Sequence, residues 1–337
     1  MQVFYKSEKK SYFQQNSIVK MAGYIITSQE SYSGRISAQK LYLHEKISCV
    51  DIHGLKLSGQ KHLGLLGYAC DEGVKRNQGR VGAKNGPEAI RKQLGKLPNN
   101  LGEGTHISDV GTVTCSNEDL DDSQKVLSKM VTLLLDAAIF PIVLGGGHEI
   151  AYGTYNGIKK HLGSSKRIGI INFDAHFDLR SNENGNNSGT PFYQIAKDCE
   201  KEDIPFHYLC LGIREDANDS VLFTTAKELD VKFILRDTFR IEFHNEINAW
   251  IKAFIKNVDA VYVTIDLDGF SSAYAPGVSA PSPMGFTPDA VLASLKTIIS
   301  SGKLAALDIA ELNPEFDIDD QTARLAASLI HTVIHGI

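Results

Sequence analysis

Arg167-Ile-Gly-Ile-Ile-Asn-Phe-Asp-Ala-His-Phe-Asp178 is the stretch from which the fold can be read. Ile168, Ile170 and Ile171 form an apolar run of the kind found in a strand buried on both faces, the usual condition in a parallel sheet covered by helices. Asp174, His176 and Asp178 then leave its carboxyl end. In an extended backbone, side chains at alternate positions point the same way, so the three can converge on one cavity. Open α/β sheets bind their ligands at that edge.

Working outward, His62–Tyr68 reads as a strand and Cys70–Ala83 as the loop after it. Pro87 opens a helix of about ten residues, since proline is tolerated in a first turn. A short strand at Ile107–Val110 precedes a helix over Glu118–Ala138, in which Val126, Leu127, Met130 and Leu134 recur at helical spacing. Phe140–Leu144 is the next strand and runs into Gly145-Gly-Gly-His148. These glycines permit a sharp turn and close approach to a ligand, and they present His148 where the following helix begins. Further strands at His207–Leu211, Lys232–Leu235, Ala260–Ile265 and Leu304–Ile309, with helical patterns between them, predict one parallel sheet with right-handed crossovers. Ser181–Asn187 is the most loop-like segment. No repeat, low-complexity tract or Pro/Gly/Ser linker divides the chain. Residues 61–337 are expected to form a single domain, with residues 1–60, of mixed polarity and weak periodicity, packed on it as an extension.

The 337 residues carry a net charge of −5, with 42% hydrophobic and 22% charged residues, an ordinary globular balance. Basic residues are dispersed and no aromatic platform accompanies them, which argues against a nucleic-acid partner. Five cysteines, odd in number and without C-x-x-C spacing, predict reduced thiols in a cytoplasmic protein. A polar N-terminus and the lack of an apolar run of about 18 residues argue against secretion and membrane spanning.

Chemistry is concentrated at three strand ends: Gly-Gly-Gly-His148, Asp174-Ala-His176-Phe-Asp178 and Asp266-Leu-Asp268. Singly, each has an ordinary explanation as a turn, a helix cap or a solvated acid. Brought to one sheet edge, four aspartates and two histidines would repel one another unless cations compensated the buried charge. Two divalent ions would do so. An oxygen-rich set with two imidazoles and no thiolate suits Mn2+ better than structural zinc. Metals roughly 3.5–4 Å apart can share a water and lower its pKa, creating a hydroxide for hydrolysis.

These motifs, in this order across residues 62–337, resemble the ureohydrolase family of arginase and agmatinase. The longer strings Ala69-Cys-Asp-Glu-Gly-Val-Lys-Arg-Asn-Gln-Gly-Arg80-Val-Gly-Ala83, Ser188-Gly-Thr-Pro-Phe192 and Ala275-Pro-Gly-Val-Ser-Ala-Pro281 are most similar to its formimidoylglutamase branch. The resemblance implies a three-layer α/β/α arginase-like domain with a mostly parallel sheet of about eight strands, assembled as a homotrimer or homohexamer. By the same likeness His148, Asp174, His176, Asp178, Asp266 and Asp268 are the ligands of a binuclear manganese centre. The implied activity is hydrolysis of N-formimidoyl-L-glutamate to L-glutamate and formamide, a step of histidine degradation in which a metal-bridging hydroxide attacks the formimidoyl carbon.

Glu311, in Leu304-Ala-Ala-Leu-Asp-Ile-Ala-Glu311-Leu-Asn-Pro314, stands like the family glutamate that holds the amidine or guanidine group. A carboxylate facing a planar N–C–N cation makes two charge-assisted hydrogen bonds. Asp178, by analogy, takes the proton of the nucleophile and relays it. Ser188 occupies the place where arginases carry a histidine, which counts against arginase and leaves the donor to the departing amine open; His207, His244 and His331 are candidates. A substrate with two carboxylates needs cationic or N–H donors, for which Arg76, Asn77, Arg80 and Arg214 are the candidates, with Ser188 beside them, because the arginine fork matches a carboxylate. Lys75 reads as solvated. Alternatives are another ureohydrolase (agmatinase, guanidinobutyrase or arginase), a single-zinc enzyme resembling histone deacetylase, and a catalytically silent metal-binding scaffold.

Overall fold

The computed structural model describes residues 23–55 and 61–337, so residues 1–22 and 56–60 of the expected extension lie outside the described residues. Its strands are β1 (Tyr24–Ile25), β2 (Ile47–Cys49), β3 (His62–Ala69), β4 (His106–Thr114), β5 (Phe140–Leu144), β6 (Ile168–Phe173), β7 (His207–Ile213), β8 (Lys232–Leu235), β9 (Ala260–Asp266) and β10 (Leu304–Ala310). They form one 10-stranded sheet in the order β1-β4-β3-β5-β10-β9-β6-β7-β8, with β2 also on β4. From β3 to β10 every pairing is parallel. The two strands beyond the expected eight are β1, antiparallel to β4, and β2, parallel to it. At two and three residues they are too short to leave a periodic signal.

Every residue of β6 and of β9 is buried, which requires cover on both faces of the sheet. Alternate side chains supply two apolar cores. Ile171, Phe173, Val263 and Ile265 pack toward the helices Gly86–Leu94, His244–Lys256, Pro288–Ser300 and Gln321–Gly336. Ile168, Ile170 and Tyr262 pack toward Leu120–Asp136, Ile150–Leu162, Pro191–Lys201 and Ser220–Glu228. The architecture is a three-layer α/β/α sandwich. The helix expected over 118–138 is two residues shorter at each end: the Asp119 side chain accepts the Asp122 N–H and caps its start, and Ala138, with φ of 57°, has left the helical region at its end. Within the 70–83 loop, Glu72–Arg76 forms a short helix.

Register places the chemistry. Leu144, Ile309, Ile265 and Phe173 pair in one row across β5-β10-β9-β6. The segments carrying His148, Glu311, Asp266 and Asp174 therefore leave four neighbouring strands at the same level. Among the described residues no helix is long and apolar enough to cross a membrane, and all five cysteines are free.

On the β4 side, Arg91 donates to both Asp109 oxygens at 2.7 and 3.2 Å, and Tyr32 from the N-terminal segment donates to the same carboxylate at 2.5 Å. All three are buried. Removing one partner of such a pair leaves an uncompensated buried charge. Arg91→Met is accordingly expected to lower unfolding free energy by about 3–5 kcal/mol in urea titrations, with the carboxyl-edge cavity unaffected.

Candidate metal centre and substrate cleft

β5 turns at Gly145 and Gly146, with φ of 52° and 112°. A Cβ on Gly146 would lie 2.5 Å from the Tyr68 carbonyl oxygen, so both the conformation and the space require glycine. Gly147 N–H donates to the Cys70 carbonyl at 2.9 Å. The turn delivers His148, 1% exposed, just ahead of the helix at Ile150, and its backbone N–H donates to Glu311 Oε1 at 2.7 Å.

The two aspartate motifs use the same local device. Asp174 Oδ1 accepts the His176 N–H at 2.7 Å, and Asp266 Oδ1 accepts the Asp268 N–H at 2.8 Å. Each carboxylate closes a turn with one oxygen and presents the other. His148 Nδ1 then lies 3.2 Å from Asp174 Oδ2, 2.8 Å from Asp178 Oδ2 and 3.0 Å from Asp266 Oδ2. His176 Nδ1 lies 3.4 Å from Asp174 and 3.3 Å from Asp268. The structure thus brings all six residues into two groups that could each hold a metal ion, His148/Asp174/Asp178/Asp266 and Asp174/His176/Asp268, each with its atoms within 4.8 Å of one another.

Their route to convergence differs from the extended alternation expected over 174–178. β6 stops at Phe173, and Asp178 has φ of 50°, in the left-handed region. The Asp174 side chain captures a backbone N–H that a strand would direct elsewhere, as short acidic side chains do. The turn, not the strand, aims the ligands.

The donor set fits a pair of cations. His148 Nδ1, Asp268 Oδ1 and Glu311 Oε2 are buried without a hydrogen-bond partner. A single proton on Nδ1 serves at most one of the three carboxylates around it, and buried polar atoms of this kind call for an ion. Neither group contains a cysteine, in keeping with hard, oxygen-preferring metals.

Without cations the cluster binds protons. Burial pushes Asp268 up to about 6; burial and the charge of Asp266 push Glu311 up to about 8. Burial also raises Asp266 and Asp178, helped by neighbouring aspartates. Burial opposes protonation of His148 and His176, but the surrounding carboxylates prevail and raise both. Asp174 runs the other way: burial raises it, and the two imidazoles bring it below the usual carboxylate range.

The cleft above these groups, about 500 Å³, is walled in part by Asn77, Arg80, Arg180, Ser188, Asn218 and Ser279. Asn77 donates to Ser188 Oγ at 3.2 Å. Arg80 reaches the wall, but its Nε and Nη2 donate to the Ser279 and Val278 carbonyls at 3.2 and 2.6 Å, and its guanidinium sits 3.8 Å over the Phe316 ring. Arg76 and Arg214 are not brought to the cleft. Arg76 bonds Glu72 at 2.9 Å and the Glu118 carbonyl at 3.0 Å; Arg214 grips Asp216 at 3.0 and 2.7 Å and Ser282 at 2.9 Å. Lys75 pairs with Glu118 at 2.7 Å.

The three candidate proton donors also lie elsewhere. His207 starts β7 at the opposite sheet edge, His244 bonds the Ile241 carbonyl at 2.9 Å, and His331 bonds that of Pro98 at 2.9 Å. Sequence reasoning missed Arg180, an exposed wall residue whose guanidinium has no carboxylate partner among the described residues. Its position two residues past Asp178, in the loop that forms the site, was the available signal.

Residues 61–336 match the arginase family. The chain is 43% identical over 314 residues to the formimidoylglutamase of Ralstonia nicotianae, covering 91% of this chain and 95% of that protein. Among solved structures, the formimidoylglutamase of Bacillus subtilis superposes with a TM-score of 0.77 at 26% identity, over 90% of this chain and 94% of that one. The Trypanosoma cruzi formiminoglutamase with Mn2+ shares the fold, with a TM-score of 0.73 at 23% identity over 84% and 95% of the two chains.

The raised carboxyls fix a sign for the metal-free protein. Glu311 favours folding at pH values below its ordinary 4.5, and that contribution is lost as pH rises toward its folded value of about 8. Asp268 acts alike up to about 6. The melting temperature of chelator-stripped protein is expected to fall between pH 5 and pH 8 in scanning fluorimetry. Saturating Mn2+, which binds the deprotonated ligands, is expected to reverse that slope.

Proposed function

The chain belongs to the arginase family, and from that premise we propose that it is a binuclear-manganese hydrolase of linear amidine C–N bonds, cleaving N-formimidoyl-L-glutamate to L-glutamate and formamide. The observation that carries this reading is Glu311. One of its oxygens holds the His148 N–H, and the other is buried without a partner beside the metal-ligand carboxylates. A planar amidinium would satisfy that oxygen with a charge-assisted hydrogen bond. The names of the relatives that match over most of both chains support the same substrate.

His148, Asp174, Asp178 and Asp266 would hold one ion, and Asp174, His176 and Asp268 the other. When bound, two such ions supply Lewis acidity and a water of lowered pKa. Glu311 orients the formimidoyl group so that its carbon faces the attacking water. Asp178 accepts a proton from that water and passes it to the departing nitrogen. The C–N bond breaks, the water oxygen stays with formamide, and the nitrogen leaves as the amine of glutamate. This assignment gives the proton relay to Asp178 and needs no histidine at the position of Ser188.

The substrate is a dianion outside its amidine, and a free cation is what its carboxylates require. Arg180 offers its fork at the wall, with Asn77 and Ser188 as neutral donors beside it. Arg80, whose donors reach the 278–279 carbonyls, shapes that wall and contributes positive potential. The reaction belongs to histidine breakdown, in a cytoplasmic homotrimer or homohexamer on this reading.

Mn2+-loaded protein is expected to release formamide from formimidoylglutamate and to leave arginine, agmatine and guanidinobutyrate largely untouched; equal or greater turnover of one of those three would assign the chain to another ureohydrolase activity. Arg180→Ala is expected to lower kcat/KM for formimidoylglutamate roughly 10- to 100-fold, chiefly through KM, as for a lost charged hydrogen bond. Metal content measured by atomic absorption should stay at the wild-type level. Loss of metal with unchanged KM would remove Arg180 from this role.

A further inference from the structure

We propose that Thr264 and Asp308 are positioning residues that fix the tautomer of His148, so that its Nδ1 lone pair faces the metal cavity. This rests on the metal-centre reading above. Thr264 is fully buried on β9, and its Oγ1 lies 3.0 Å from His148 Nε2. A hydroxyl can donate or accept across that contact. If Thr264 donates, Nε2 carries the lone pair and the proton of the neutral ring sits on Nδ1, among three carboxylates, where it blocks coordination. If Thr264 accepts, Nε2 carries the proton and Nδ1 is free to ligate. The direction of one hydroxyl hydrogen therefore decides whether His148 can bind a metal.

The neighbour that sets this direction is Asp308. It pairs with Thr264 across β9 and β10 and is 0% exposed. Among the described residues no lysine, arginine or histidine forms an ion pair with it, an unusual condition for a buried carboxyl. Three hydroxyls face it instead, those of Thr264, Tyr262 and Thr154. Burial raises its pKa above the ordinary 3.8, and the hydroxyls and the charge of His148 limit the rise. A carboxylate is an acceptor, so it draws the Thr264 O–H toward itself and turns the Thr264 lone pair to His148 Nε2–H. The mechanism described above has no other use for Asp308, whose Oδ2 takes the Tyr262 O–H and whose Oδ1, with no other partner, is left to the Thr264 hydroxyl. Partners behind a metal-ligating histidine commonly set its tautomer in this way.

The experiment is a double-mutant cycle read as Mn2+ affinity, by calorimetry and chelator competition on the full chain, with the melting temperature of the metal-free protein recorded for each variant. Thr264→Val keeps the shape and removes the acceptor; an affinity loss on the order of 10- to 100-fold is expected. Thr264→Ser, which restores the hydroxyl, should return near wild type. Asp308→Asn leaves its oxygen to Tyr262 and turns N–H toward Thr264, reversing the hydroxyl, so it should weaken Mn2+ in the wild-type background but add little to Thr264→Val. Thr264→Ala takes the place of valine if that variant does not fold. Wild-type affinity in Thr264→Val, failure of serine to rescue, or losses that simply add would overturn the relay. A wild-type protein that binds no Mn2+ would instead overturn the metal-centre reading beneath it.

Discussion

Electrostatic repulsion among acids is the constraint on which the carboxyl edge of this sheet depends. Asp174, Asp178, Asp266, Asp268 and Glu311 share one buried region with two imidazoles. Desolvated carboxylates at such separations cannot all remain ionised without counter-charge. The fold opposes the repulsion with backbone: the N–H groups of His148, His176 and Asp268 each donate to one of these acids. The charge left over is the charge that two divalent cations would neutralise.

Holding acids together against repulsion requires a scaffold that does not yield. Four adjacent parallel strands, β5-β10-β9-β6, are locked in register between two cores, and each contributes one segment to the cavity. Side chains mounted directly past rigid strands keep their positions better than those on long loops. The glycine turn after β5 extends the same logic to His148, since no other residue fits beneath the Tyr68 carbonyl. Farther out, β1 and β2 pair with β4, which keeps an otherwise open edge from presenting unpaired backbone, and the bond from Tyr32 to Asp109 pins the N-terminal segment there.

The cleft shows how local competition decides which cations are free. Arg76 and Arg214 stand in glycine-punctuated segments beside the site, yet Glu72 and Asp216 lie close enough in sequence to capture them. Arg80 is taken by carbonyls and an aromatic face. Arg180 has Asp178 and Glu183 at comparable spacings, yet Asp178 is turned to His148 instead, and Arg180 keeps its fork for the cleft.

By itself the sequence determined the strand–helix alternation, the parallel sheet and the three motifs at strand ends, because a strand buried on both faces and a glycine-rich turn leave strong local signatures. His148, Asp174, His176, Asp178, Asp266, Asp268 and Glu311 could be singled out for the same reason: their positions follow directly from the ends of apolar runs. The strands β1 and β2 could not, since two or three residues carry no period and are held only by β4. Tertiary structure alone decided that Asp178 turns inward through a left-handed residue, that Arg76 and Arg214 are captured while Arg180 is free, and that Thr264 and Asp308 stand behind His148. Each of these depends on which atoms, near and far in sequence, compete for one donor or acceptor, and the outcome is set only once the register of the sheet has fixed the distances.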